Sequence, residues 1–154
     1  MPVEFIEFEE ARRAPGLRMI VVPGIPSPWS EAAKGIFHLK KLPWKAVRLD
    51  ARSDAMADWA KERSGPVAFF DDEPPRAAWG QILLLAERLA PRPALLPADP
   101  SERARVFGLA HEICGEQGLI PAGIQRDLII REPQRARLGL SEMRKPNGGD
   151  TRHA

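Results

Sequence analysis

The chain has 154 residues, 44% apolar and 29% charged, a composition typical of one folded domain or of one domain and part of a second. The formal net charge of +2 comes without a basic, aromatic-rich face, and no apolar run approaches roughly 20 residues, so neither nucleic acid nor a membrane is expected as a partner. The single cysteine, Cys114, excludes an intramolecular disulfide and fits a reducing, cytoplasmic location.

The first 90 residues show the spacing of alternating strands and helices. Leu17 to Val22 is a nearly continuous apolar run, as expected for a strand covered on both faces. Val67 to Phe70 is the most strand-like stretch. The predicted elements are an extended piece over 5–8, a polar turn or helix over 9–14, strands over 17–22, 46–49 and 67–70, a brief partner strand over 76–78, and helices over 29–42, 54–63 and 80–90.

The second part of the chain begins with a proline-rich linker over 91–97. Asp99 is a predicted N-cap, with Pro100 at the first helical position and Glu102 three residues after the cap. We expect a partial helical domain over 99–140 and a disordered tail over 141–154, because the pattern decays beyond Leu119. The predicted buried stripe of this helix is Ala104, Phe107, Ala110, Ile113 and Cys114.

Ser27 lies between the apolar run of residues 17–22 and the first long helical segment. Serine is a preferred N-cap, and Pro28 suits the first helical position, where its missing N–H costs nothing. A helix start offers unpaired backbone N–H donors and the positive end of the helix dipole, which favour an anion or a thiolate. Ser27 is therefore a candidate binding residue, and the alternative is that it only caps its helix.

His111 and Cys114 lie three residues apart on the last predicted helix and superficially resemble metal ligands. They supply only two ligands, and no second cluster completes a tetrahedral site, so no metal site is predicted. A core-facing cysteine beside a partly exposed histidine is the better interpretation.

The order of these elements and motifs resembles the glutathione transferase superfamily from about Leu17 to Leu119. No single motif is specific, and the resemblance depends on their order and spacing together. It implies a thioredoxin-like α/β domain of βαβ-α-ββα order over residues 1–93, followed by an incomplete all-α extension. The matching stretches are Ser27-Pro28-Trp29-Ser30, Gly65-Pro66-Val67, Gly80-Gln81-Ile82-Leu83-Leu84 and Leu95-Leu96-Pro97-Ala98-Asp99-Pro100.

The resemblance also assigns roles to the first two of these stretches. Ser27 would donate a hydrogen bond to the sulfur of glutathione, the co-substrate, and so favour the thiolate that attacks a small-molecule electrophile. Pro66 would be the family's cis-proline, since a cis X–Pro bond forms at modest cost. The main chain of Gly65 and Val67 would then pair with the cysteinyl part of glutathione.

The family usually carries an acid followed by serine at the start of the helix after the hairpin, where the pair holds the γ-glutamyl end of glutathione. Those positions are Ala78 and Trp79 here, and neither supplies a carboxylate or a hydroxyl. Arg76 and the N–H groups near Gly80 are then the candidates to hold a carboxylate. Trp79 is kept as a candidate contact because the proposed fold brings its helix start to the same sheet edge as Ser27.

Two functions stay open. The first is a glutathione transferase-like protein, and the alternative is a non-catalytic thioredoxin-fold module for binding or dimerisation. The family's helical second domain normally needs on the order of 100 residues, and about half of that number follow Asp99. Because the family's dimer surface uses both domains, a homodimer is a candidate assembly, with apolar faces exposed at Phe107 and Ile113.

Overall fold

The fold is described from a computed structural model, over residues 3–24 and 27–114. The chain divides between Gly108 and Leu109 into two units, and the fold below is that of the first. The predicted thioredoxin-like α/β fold is confirmed, as a four-stranded sheet with helices on both faces. In chain order the elements are β1 (Glu4–Phe5), α1 (Phe8–Ala11), β2 (Leu17–Val21), α2 (Pro28–Leu39), β3 (Lys45–Arg48), α3 (Asp54–Ala60), β4 (Val67–Phe70), α4 (Trp79–Leu89) and α5 (Pro100–Cys114).

The strands lie in the order β1-β3-β2-β4, with β1, β3 and β2 parallel and β4 antiparallel to β2. All five residues of β2 are buried, because helices cover the central strand on both sides. Successive side chains of a strand point to opposite faces. Met19 and Val21 accordingly pack in the cluster that contains residues of α2 and α4, whereas Ile20 packs in the cluster that contains residues of α1 and α3.

Two parts of the predicted order differ in the structure. The extended N-terminal piece is a strand, β1, which pairs in parallel with β3 and so adds an edge strand to the predicted βαβ-α-ββα arrangement. The partner strand expected over 76–78 is reduced to one antiparallel bridge, in which Ala68 and Arg76 exchange two backbone hydrogen bonds of 2.9 Å. The pairing of β1 with β3 and the length of the bridge at Arg76 depend on how separate segments align in the sheet. The spacing of residues within one segment does not specify this alignment.

Helix ends were predicted less well than helix positions. The second helix ends at Leu39 instead of Leu42, and Lys41 takes a left-handed φ of 53°. The third ends at Ala60, before Lys61 with a φ of 58°. A residue in the left-handed conformation commonly terminates a helix without a proline. Both helices therefore end before the proline and glycine residues that were expected to end them.

The buried stripe predicted for α5 is wrong in part. Ala104 and Ile113 are exposed, whereas Phe107 and Ala110 are half-buried. Charged residues fill the first turns of α5, so only a short apolar stretch is available for packing. The Cys114 side chain, the later part of the predicted 99–140 domain and the predicted 141–154 tail lie outside the described residues.

Candidate functional site

Ser27 is the N-cap of α2, as predicted. Its backbone is extended (φ −87°, ψ 121°), and its Oγ accepts a hydrogen bond from the Ser30 N–H at 3.5 Å. Pro28 occupies the first helical position. Because α2 has 12 residues, the positive end of its dipole favours negative charge beside the half-buried Ser27.

The topology of the sheet distinguishes this helix start from the others. β2 and β3 are parallel neighbours, but the helix that follows β2 packs on one face of the sheet and the helix that follows β3 packs on the other. Open α/β sheets bind ligands in the crevice at such a switch point, beyond the carboxyl ends of the strands. Ser27 stands at this position.

The segment Gly65–Pro66–Val67 reaches the same edge of the sheet. Val67 is paired with Ile20 near the end of β2, and the Gly65–Pro66 peptide bond is cis, as the resemblance implied. A Cβ atom on Gly65 would lie 3.4 Å from the Ile20 carbonyl oxygen and 3.7 Å from the Val22 N. The start of β4 therefore lies directly beside the end of β2, from which the chain continues to Ser27.

Arg76, the predicted carboxylate-binding residue, already contacts a carboxylate of this chain. Its guanidinium donates to Glu73 Oε2 at 2.5 Å and to the Pro74 carbonyl at 2.8 Å. Arg88 donates to both oxygens of Glu73 at 2.7 and 2.6 Å and, with a smaller contribution from Arg76, lowers the pKa of the Glu73 carboxyl. Glu73 lies in the turn after β4, so the Arg76 guanidinium already has a carboxylate and a carbonyl as acceptors there.

The start of α4 is partly covered by an aromatic side chain of α5. Ala78 is the N-cap and makes no side-chain capping bond, as expected for alanine. Trp79 stacks on Phe107 with 5.7 Å between ring centroids and 30° between ring planes. A Cβ atom on Gly80 would lie 3.3 Å from Phe107 Cε1. The sequence did not reveal this contact, because Phe107 is far from Trp79 along the chain.

Ser30 is a second hydroxyl at this helix start that had not been assigned a role. It is 0% exposed, and its Oγ has no hydrogen-bond partner in the described part of the chain. The only sequence signal for it was the repetition of serine three residues after Ser27.

The described residues also line a groove at this sheet edge. A groove of about 480 Å³ opens at the ends of β1 and β3, with Phe5, Arg48 and Asp50 in its lining. No group of three or more His, Cys, Asp or Glu residues in the described ranges could hold a metal ion. No helix in these ranges is long and apolar enough to cross a bilayer.

Solved structures with this arrangement are glutathione transferases of several classes. A glutathione transferase homologue from Sulfitobacter, solved with bound glutathione, has a TM-score of 0.53 and 20% identity, over 66% of this chain and 56% of that chain. This chain has the thioredoxin-like fold of glutathione transferases. Glutathione transferase Omega 1C from Trametes versicolor matches with a TM-score of 0.56 and 16% identity, over 71% of this chain and 50% of that chain.

A bacterial maleyl pyruvate isomerase, a glutathione S-transferase of the zeta class, has a TM-score of 0.53 and 23% identity, over 62% of this chain and 46% of that chain. The chain thus spans about half the length of the glutathione transferases that it matches. No protein-family model and no curated protein matches the sequence.

Proposed function

We propose that this protein binds glutathione as a co-substrate and activates its thiol for attack on an electrophilic small molecule. The observation that carries the proposal is the position of Ser27, which caps the 12-residue helix that follows β2, at the switch point of the sheet, while the start of β4 lies beside the end of β2. The thioredoxin-like fold shared with glutathione transferases supports it.

In this proposal the Ser27 hydroxyl donates a hydrogen bond to the sulfur of glutathione. The dipole of α2 adds to this donor, so the thiol loses its proton to solvent at a lower pH than it does in water. The thiolate then forms the new carbon–sulfur bond, and the displaced group leaves with the electron pair. Ser27 itself forms no covalent bond, and the main chain of Gly65 and Val67 pairs with the cysteinyl part of the ligand.

Calorimetric titration of glutathione tests this function. We expect saturable binding to the wild-type protein and weaker binding to Ser27→Ala. Ser53→Ala is the matched control, because Ser53 caps α3 through a 3.1 Å bond from the Met56 N–H and loses the same kind of hydrogen bond when replaced. No binding at millimolar glutathione, or equal weakening by both variants, would contradict the proposal.

The second candidate function is a non-catalytic binding or dimerisation module. The engagement of Arg76 by Glu73 and the contact of Phe107 with the start of α4 favour it, because both leave fewer groups for the γ-glutamyl end of glutathione. This function predicts no glutathione binding together with a stable assembly. Size-exclusion chromatography with light scattering measures that assembly, and a monomer that binds glutathione would exclude the module.

A further inference from the structure

The Ser30 hydroxyl is buried and makes no hydrogen bond with the described residues. Buried polar groups in native proteins are almost always paired, so an exception suggests a partner that the isolated chain does not supply. Arg18 Nε is also buried and unpaired, but the same guanidinium donates to the Gly16 and Asp71 carbonyls at 2.9 Å each. Ser30 has no such compensation.

The position of Ser30 relates its hydroxyl to the site at Ser27. The Ser30 N–H donates to Ser27 Oγ, so the two serines share the first turn of α2. Helical side chains tilt toward the N-terminus of their helix, which directs the Ser30 side chain back toward the cap. Ser30 also shares the buried, sheet-facing side of α2 with Ala33 and Phe37. Its hydroxyl therefore lies on the inner side of the helix start.

We propose that Ser30 is a positioning residue for the thiolate, acting through Ser27. When Ser27 donates its hydrogen to the sulfur, the Ser30 side chain rotates about χ1 so that its hydroxyl donates to Ser27 Oγ, a bond that is not formed without ligand. A hydroxyl that donates to an anion is a better acceptor, and consecutive hydrogen bonds polarise one another. Ser30 is 0% exposed, so its effect on the sulfur passes through Ser27 and not through direct contact. No proton is transferred between the serines, and no covalent bond forms. The inference rests on the proposed function.

The test compares wild type, Ser30→Ala, Ser27→Ala and the double variant in glutathione titrations at several pH values. The pKa of the bound thiol is read from the ultraviolet absorbance of the thiolate, and unfolding is followed by circular dichroism. We expect Ser30→Ala to raise this pKa and to weaken binding about two- to tenfold, the range of one net hydrogen bond. Its unfolding midpoint stays unchanged or rises, because no hydrogen bond is lost from the free protein. In the Ser27→Ala background the Ser30 substitution has no further effect on binding.

Ser30→Cys is a second variant that keeps the shape of the side chain and replaces the hydroxyl by a weak donor. It controls for any loss of packing that the smaller side chain of Ser30→Ala causes. Wild-type affinity and thiol pKa in both Ser30 variants would overturn the inference and leave the proposed function standing. Lower unfolding midpoints with an unchanged thiol pKa would also overturn it, by giving Ser30 a structural role only. If wild type does not bind millimolar glutathione, the proposed function fails and the inference fails with it.

Discussion

Lys40 and Glu87 form an ion pair between the C-cap of α2 and α4, with 2.5 Å between Lys40 Nζ and Glu87 Oε1, and the Lys40 side chain has no exposed surface. The same ammonium donates to the carbonyls of Ala90 at 2.8 Å and Pro93 at 2.7 Å, and Glu87 accepts the Leu95 N–H at 2.7 Å. All three ammonium hydrogens thus have acceptors, the condition under which a buried charge is tolerated. Through these hydrogen bonds the ion pair links the proline-rich segment after α4 to the end of α2.

Replacing Lys40 with methionine removes the charge while keeping the length of the side chain. It leaves the half-buried Glu87 carboxylate with only the Leu95 N–H as a donor among the described residues and removes the ammonium from the Ala90 and Pro93 carbonyls, so we expect a loss of about 3–5 kcal/mol in the free energy of unfolding. Urea denaturation measures this loss. Lys34→Met is the control, because Lys34 pairs with Glu31 at 2.6 Å on the surface and should cost less than about 1 kcal/mol. Equal losses in the two variants would contradict the importance of the buried pair.

Glu87 makes part of the stability dependent on pH. Burial raises the pKa of the Glu87 carboxyl, but hydrogen bonds from Lys40 and Leu95 outweigh it, and the pKa lies below its ordinary value of 4.5. A carboxyl with a lowered folded-state pKa stabilises the protein above its ordinary pKa, and this contribution is lost as the pH falls through the folded value. We expect Glu87→Gln to be less stable than wild type at neutral pH and to lose less stability below about pH 4.5.

Thermal unfolding across the acidic range checks this prediction. Glu73 also has a lowered pKa, chiefly through its hydrogen bond from Arg88, and it remains in both proteins. The difference between their acid profiles therefore reports Glu87 alone. Parallel profiles for wild type and Glu87→Gln would exclude the proposed contribution.

The two serine caps should differ in their value for stability. The Ser53 cap bond is 3.1 Å long, whereas that of Ser27 is 3.5 Å, at the limit of a useful hydrogen bond. We expect Ser53→Ala to cost about 1 kcal/mol and Ser27→Ala clearly less, measured by urea unfolding without ligand. A larger loss in the free energy of unfolding for Ser27→Ala than for Ser53→Ala would indicate that Ser27 serves mainly as the cap of α2.

The contact of Phe107 with α4 can be tested through Gly80. Alanine is favoured over glycine in helices by up to about 1 kcal/mol, but its Cβ would lie 3.3 Å from Phe107 Cε1. We therefore expect Gly80→Ala to change stability little in wild type and to stabilise the Phe107→Ala variant. A double-mutant cycle by urea unfolding measures the coupling. Equal effects of Gly80→Ala in both backgrounds would show that the two residues do not touch in solution.

Local rules in the sequence were sufficient for the approximate positions of most helices and strands and for the cap at Ser27. The apolar run of residues 67–70 is a strand with the predicted bounds, and Ser27 is the predicted N-cap. The Gly65–Pro66 bond has the predicted isomer. The strand and the cap depend on residues within a few positions of one another, through side-chain periodicity and capping, so they can be read before the chain is folded. The cis isomer followed only from the resemblance to glutathione transferases, because X–Pro bonds are usually trans.

Tertiary structure alone decided which distant groups meet. Lys40 is a buried cation because carbonyls some 50 positions away face it. Glu73 is bound to Arg88, 15 positions further along the chain, as well as to its near neighbour Arg76. Phe107 lies on Gly80, and β1 lies beside β3. The free energy of each contact depends on burial and distance across the fold, and neither quantity is encoded in the spacing of nearby residues.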